Sequence, residues 1–198
     1  MCDQTHRVNV GFMSEPVAVG AHICLVYRSE SERRQIVAKF VSSGIAASER
    51  VYYFADLVKP SDVVEWLAEL DVNVSESVDR ADLTVSDALS AYCPDGTFLP
   101  DRMLETVRHA YLDAVGAGYP DARVTGEMSW ALGQTGADRL IEYEAGVNTV
   151  VAEFPITAMC QYDANRFDGA TIYRALKVHP FMVMHGQLVR NPYFAEKV

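Results

Sequence analysis

The turn after the first strand-like run, His22-Ile-Cys-Leu-Val-Tyr27, has no glycine; it continues Arg28-Ser-Glu-Ser-Glu-Arg-Arg34. A strand feeding a helix is where a nucleotide-binding fold carries its phosphate cradle. That cradle needs glycines so that backbone N–H groups converge, a lysine for phosphate charge and a Ser or Thr for magnesium. None of the glycines or lysines of the chain falls in this turn, and Glu30 and Glu32 would repel an anion. Ser29-x-x-Glu32 reads instead as a capping box that closes the helix start with its own side chains. The turn excludes this kind of triphosphate binding and leaves the position free for another use.

Other absences narrow the class further. No apolar run approaches the ~20 residues that span a bilayer, and residues 1–16 contain no apolar segment of signal-peptide type, so a cytoplasmic location is expected. The formal net charge is −10 and no basic run occurs, which argues against direct nucleic-acid binding, because phosphate attraction dominates that affinity. Arg33-Arg34 is the one adjacent basic pair of note, and its place at a helix start reads as solvated surface. The four cysteines, Cys2, Cys24, Cys93 and Cys160, form no CxxC and are expected to be reduced.

What is present is a chain of 198 residues, 49% of them hydrophobic, enough for one domain with a substantial core. Strands are predicted at Ile23–Tyr27, Arg50–Ala55, Asp82–Asp87, Arg123–Trp130 (interrupted by Gly126), Pro155–Tyr162 and Pro180–His185, with a short last strand after Gly186. Helices are predicted from Glu30 to about Ala47, from Pro60 through Leu70, from Pro100 to Gly116 or Gly118, from Ala137 to Val151, and from Asp168 through Leu176. Strands alternating with helices imply parallel βαβ units, hence an α/β fold whose mostly parallel sheet is covered by helices on both faces. Residues 1–19 read as an unpatterned leader lying across a domain of residues 20–198.

Two resemblances follow from these residues. The strand, helix, Gly44 and Glu49-Arg-Val-Tyr-Tyr-Phe54 layout is similar to the opening of RecA/KaiC-like ATPase domains, without their Walker A loop. The second covers about Gly20 to Phe194: His22–Tyr27, Asp95-Gly96-Thr-Phe98, Gly126-Glu-Met-Ser-Trp130, Cys160-Gln-Tyr-Asp163, and His179-Pro180 with Asn191-Pro-Tyr-Phe194 together resemble a MEDS domain, the sensory domain of DcmR-type regulators. That resemblance implies a P-loop-less RecA-like fold without ATPase activity and a prokaryotic role in signal transduction, with proposed recognition of small hydrocarbon derivatives. Many relatives attach this domain to a helix-turn-helix or histidine-kinase module. Here Pro192 lies a few residues from the end and the leader is too short for a DNA-binding domain, so the output is expected to pass through a regulatory partner protein, such as a histidine kinase or transcription regulator.

In open α/β sheets, ligands bind beyond the carboxyl ends of the strands. This places Tyr27, Asp56, Asp87, Trp130, Tyr162 and Asp163 near one rim, where aromatics and carboxylates suit a small organic ligand; the competing reading is that the aromatics plug the core. Glu127 is either a retained acid or ligand contact, or a carboxylate paired with an Arg such as Arg123 or with backbone N–H groups. His22, Cys24, Cys160, His179 and His185 raise a metal alternative. Residues i and i+2 of a strand share a face, so His22 and Cys24 could reach one ion, with Cys160 or His179 completing a set suited to zinc, iron or haem; the alternative is structural packing. No nucleophile elbow or activated thiol occurs. The reading is therefore a non-catalytic sensory domain with no expected cofactor, the alternatives being a metal or haem sensor and an atypical NTPase. Segments 72–80 and 129–136 are expected to be mobile flanks of the rim, and an edge strand or segment 191–194 could pair two copies into a homodimer.

Overall fold

The computed structural model describes residues 6–195. The first two strands, β1 (Arg7–Val8) and β2 (Val17–Ala18), pair antiparallel. Thereafter come β3 (His22–Tyr27), α1 (Glu30–Ala46), β4 (Arg50–Ala55), α2 (Pro60–Glu69), α3 (Val74–Asp79), β5 (Leu83–Asp87), α4 (Ala88–Tyr92), α5 (Pro100–Gly116), β6 (Ala122–Glu127), α6 (Leu140–Glu153), β7 (Ile156–Asp163), α7 (Gly169–Leu176), β8 (Phe181–Met184) and β9 (Gln187–Arg190). The main sheet has seven strands in the order β5-β4-β6-β7-β3-β8-β9. Its pairs are parallel except β8–β9, which turns back at His185-Gly186, both at positive φ.

Side-chain alternation along the central strands splits the core in two. Ile23, Leu25 and Tyr27 pack with Ile36, Val37 and Phe40 of α1 and with Val63, Trp66 and Leu67 of α2. Cys24, Val124, Cys160 and Tyr162 face the other way, toward Met103, Val107, Tyr143 and Val147 of α5 and α6. The chain leaves β3 for the α1 face but leaves its neighbour β7 for the opposite face. Crevices open where neighbouring strands send their connections to opposite sides, so β3 and β7 flank the place where such a fold holds a ligand.

Local chemistry sets the element boundaries. Ser29 caps α1, its Oγ accepting the Glu32 N–H at 3.4 Å. Pro60 and Pro100 occupy first helical positions, where a missing N–H costs nothing, and Asp168 caps α7 by accepting from Thr171 N–H at 2.6 Å. The fourth predicted strand is corrected at both points. It ends at Glu127, and Ser129–Ala131 is a 3-10 turn. Gly126 does not interrupt it: a Cβ there would lie 2.7 Å from the Tyr92 hydroxyl, so glycine lets that ring close over the strand.

The described part of the leader is patterned rather than irregular, with β1 and β2 paired, Val8 buried and Val10 packed into the core on the α1 face of the sheet. Segment 72–80, expected as a mobile flank, contains α3 with Val72, Val74 and Ser77 buried. Segment 88–92, unassigned from sequence, is α4, capped by Asp87 onto the Ser90 N–H at 2.7 Å.

Candidate functional site

Arg33, expected on the solvated surface, is fully buried. It sits on the first turn of α1, three, four and seven residues before Ile36, Val37 and Phe40, and so points with them into the fold. Its Nη1 donates to the Tyr53 hydroxyl (2.6 Å), Glu127 Oε1 (3.0 Å) and Gln161 Oε1 (2.9 Å). Its Nε and Nη2 donate to the Glu30 carboxylate at 2.8 and 2.6 Å. The Tyr53 hydroxyl in turn donates to Glu127 Oε1 at 2.7 Å, and Glu127 Oε2 accepts the Asp56 and Leu57 N–H groups at 3.0 and 2.8 Å. Gln161 Nε2 donates to Thr125 Oγ1 at 2.8 Å. The guanidinium also lies 5.6 Å from the Tyr27 and Trp66 ring centroids.

This network occupies the rim where a phosphate cradle would stand. Burial alone would discourage charge on Arg33, but Glu30, Tyr53 and Glu127 outweigh it and push its pKa above the ordinary range. The turn above it is tied shut, with Ala164 N–H donating to Tyr27 O at 2.8 Å and Asn165 Nδ2 to Arg28 O at 2.9 Å. Burial, then Glu127, raises Asp56 to about 6, with Arg166 opposing. Burial likewise raises Tyr27 far above its usual value.

On the other face of the sheet lies a second cluster. His22, Glu144, Cys160 and His179 are all buried, and one donor atom from each lies within 4.8 Å of all the others. Glu144 Oε2 is 3.3 Å from His22 Nε2, 3.4 Å from His179 Nε2 and 3.3 Å from Cys160 Sγ, while Cys160 Sγ is 3.6 Å from His22 Nε2. Glu144 Oε1 accepts the Tyr162 hydroxyl at 2.5 Å. Burial and the adjacent His22 push His179 down to about 4. Burial opposes charge on Glu144, yet the His179 and His22 imidazoles and the Tyr162 hydroxyl prevail and hold it at about 2.

Beyond the ends of β6 and β7 a cavity of about 470 Å³ opens, lined among others by Leu132, Ile141, Phe167, Asp138, Arg166 and Arg174. None of the rim residues expected to line a ligand site lines it, nor does Glu127; Asp87 is the cap of α4. Tyr27 and Glu127 belong to the Arg33 network, with Asp56 giving its N–H to Glu127. Trp130 is buried 4.8 Å from the Tyr92 ring and 4.7 Å from the Phe98 ring. Tyr162 faces Glu144 and packs 5.1 Å from Phe167. Asp163 turns the chain through the Asn165 N–H at 2.8 Å. They fall on both faces of the sheet, and the cavity is built from the residues that follow them.

Of the expected metal group, His22, Cys160 and His179 converge. Cys24, buried and directly opposite Cys160 in the β3–β7 register, stays outside the converging set, and His185 is at the exposed β8–β9 turn. Cys24, Cys93 and Cys160 are unbridged, as expected; Cys2 lies outside the described residues. Glu127 pairs with Arg33 rather than Arg123, which is instead bidentate on Glu49 at 2.7 and 2.7 Å. Arg33 and Glu144 went unrecognised in the sequence, although Leu140, Glu144, Val147 and Val151 follow helical spacing and place a carboxylate on an apolar stripe.

Among the described residues no helix is long and apolar enough to cross a membrane. The sequence profile of the MEthanogen/methylotroph, DcmR Sensory domain matches residues 21–180. The transcriptional repressor DcmR of Methylorubrum extorquens (strain DSM 6343 / CIP 106787 / DM4) is 26% identical over 165 residues, an alignment that takes in 82% of this chain and 59% of the repressor. The fold is similar to that of the KaiC-like protein PH0186 of Pyrococcus horikoshii OT3, with a TM-score of 0.66 and 13% identity over 89% of this chain and 79% of that one. The flagellar accessory protein FlaH of Methanocaldococcus jannaschii matches with a TM-score of 0.63 and 8% identity over 92% of this chain and 83% of its own.

Proposed function

Because this chain belongs to the MEDS family of sensory domains, with a RecA/KaiC-like fold and a regulatory role, we propose that it detects a small organic molecule in the cavity beyond β6 and β7 and passes the signal to a regulatory protein, without turning over nucleotide. The observation that carries this reading is the unequal state of the rim. On the β3 side the Arg33–Glu127 network fills the crevice; on the β7 side about 470 Å³ stays open. That volume is at the small end of the range for ligand pockets, ~300–1,000 Å³.

Leu132, Ile141 and Phe167 give the cavity an apolar wall, and Arg166 and Arg174 place donors beside it. A ligand with a short hydrocarbon body and one polar or anionic end satisfies both. Phe167 packs on Tyr162, whose hydroxyl donates to the buried Glu144, so occupancy is transmitted into the core through two contacts. Transmission requires the ligand to favour one of two arrangements, since equal binding to both shifts nothing. The repressor relative supports a transcriptional output.

Thermal unfolding against short-chain carboxylates, alcohols, amines and alkyl halides tests the reading. At ~100 times Kd a ligand stabilises by about 2.7 kcal/mol, or roughly 5–10 °C for a domain of this size. Leu132→Trp, which fills the cavity from a solvent-exposed position, is expected to weaken that shift about tenfold or more while leaving unliganded stability within ~0.5 kcal/mol. A panel that moves the melting temperature nowhere, or a shift indifferent to Leu132→Trp, would refute the cavity as the site.

A further inference from the structure

We infer that His22, Glu144, Cys160 and His179 bind one divalent transition-metal ion, zinc, in a closed four-ligand site buried between the sheet and α6.

The spacing carries the first part. A tetrahedral ion with bonds of ~2.0–2.3 Å to nitrogen, oxygen and sulfur holds neighbouring donor atoms about 3.3–3.8 Å apart. Four of the six donor pairs in this cluster measure 3.3, 3.3, 3.4 and 3.6 Å, and the remaining two, from His179 to His22 and to Cys160, lie within 4.8 Å. They join residues from β3, α6, β7 and the link between α7 and β8. Four donors converging from separate elements suit a bare ion rather than haem, which takes its protein ligands along one axis.

The protons carry the second part. His179 Nδ1 lies 2.8 Å from the Ala175 carbonyl, which only accepts, so Nδ1 bears the hydrogen. His22 Nδ1 lies 3.1 Å from Asn148 Oδ1, and the Asn148 amide is oriented by its own donation to Val178 O at 2.7 Å. Both rings therefore present Nε2, the ring nitrogen left over for a ligand role, to the Glu144 carboxylate. His179 Nε2 is buried and has no hydrogen-bond partner. A metal ion between the two Nε2 atoms and the carboxylate satisfies all three, and a backbone or amide partner on the far ring nitrogen is how metal-bound histidines are oriented.

Charge balance carries the third. A dication with one carboxylate, one thiolate and two neutral imidazoles sums to zero, which a dry interior requires. Binding releases the Cys160 proton to solvent, so affinity rises with pH. The site is enclosed, and the ion enters as the chain folds.

The test is metal analysis of the full chain purified without chelator, followed by cobalt substitution. The expected result is close to one zinc per chain, and a cobalt form with the visible absorption of a tetrahedral site and a thiolate charge-transfer band. Cys160→Ser is expected to abolish that band and His179→Gln to lower metal affinity at least tenfold, whereas Cys24→Ser keeps both. Should either ligand variant fail to fold, the wild-type cobalt spectrum decides alone. Wild-type protein refolded with zinc or cobalt that retains neither ion overturns the inference, as does metal content unchanged across the ligand variants. Neither result bears on the cavity beyond β7, which the organic-ligand panel tests separately.

Discussion

Arg33→Ala is expected to cost the fold about 3–5 kcal/mol, the loss typical of removing one partner from a buried ion pair, and to lower the melting temperature by roughly 10 °C. The substitution deletes all five hydrogen bonds of the guanidinium and leaves the buried Glu127 carboxyl facing Gln161 and Tyr53 without its cationic partner. Arg34→Ala is the control. Its guanidinium is half-exposed and its one ion pair is to Glu30, so it should cost under ~1 kcal/mol. Combining Arg33→Met with Glu127→Gln removes both charges and should recover much of the loss. Denaturant unfolding of the three proteins reads the result. An Arg33→Ala variant within ~0.5 kcal/mol of wild type would return this residue to the solvated surface.

Arg123→Ala is expected to be comparably damaging, about 3–5 kcal/mol, with an added signature in pH. Arg123 is buried on β6, bidentate on Glu49, and donates to Phe40 O, Ser43 Oγ and Asn9 O at 2.7, 2.7 and 3.0 Å. It lies 4.7 Å over the Phe40 ring and so fastens the leader, α1 and the sheet to one another. Burial already raises the Glu49 pKa despite Arg123; without Arg123 it rises further. A folded-state pKa above the unfolded value favours the protonated, folded form. The stability deficit of Arg123→Ala should therefore be largest at neutral pH and shrink as the pH falls below the Glu49 value toward ~4. Unfolding curves across that range, with hydrogen exchange at residues 7–18, check both effects; a deficit independent of pH would dissociate Glu49 from the loss.

The sheet was legible because its strands are short apolar runs flanked by Pro, Gly and Asp. Arg50–Ala55 is found as predicted, and the helices opened by Pro60, Pro100 and Asp168 begin where those residues place them. The two short helices α3 and α4 were hidden because six and five residues are too few to establish a helical period. The site was harder to read for a physical reason. Arg33 and Glu144 each fall on the apolar stripe of a helix, where spacing says inward and side-chain chemistry says outward. Charge usually wins that conflict; here distant partners reverse it, 94 residues away for Arg33 on Glu127 and 35 away for Glu144 beside His179. Cys24 failed to join His22 for the opposite reason. Sharing a strand face with His22 fixes direction only; the donors gather around Glu144, and of the two cysteines facing each other across β3 and β7 it is Cys160 whose Sγ reaches that carboxylate, at 3.3 Å.

The account turns on Arg33 and Glu127 occupying the place of a phosphate cradle. Calorimetric titration of the full chain with Mg-ATP is the direct measurement. The predicted result is no saturable heat beyond dilution and no phosphate release; saturable, magnesium-dependent binding weakened by Glu127→Gln would contradict it.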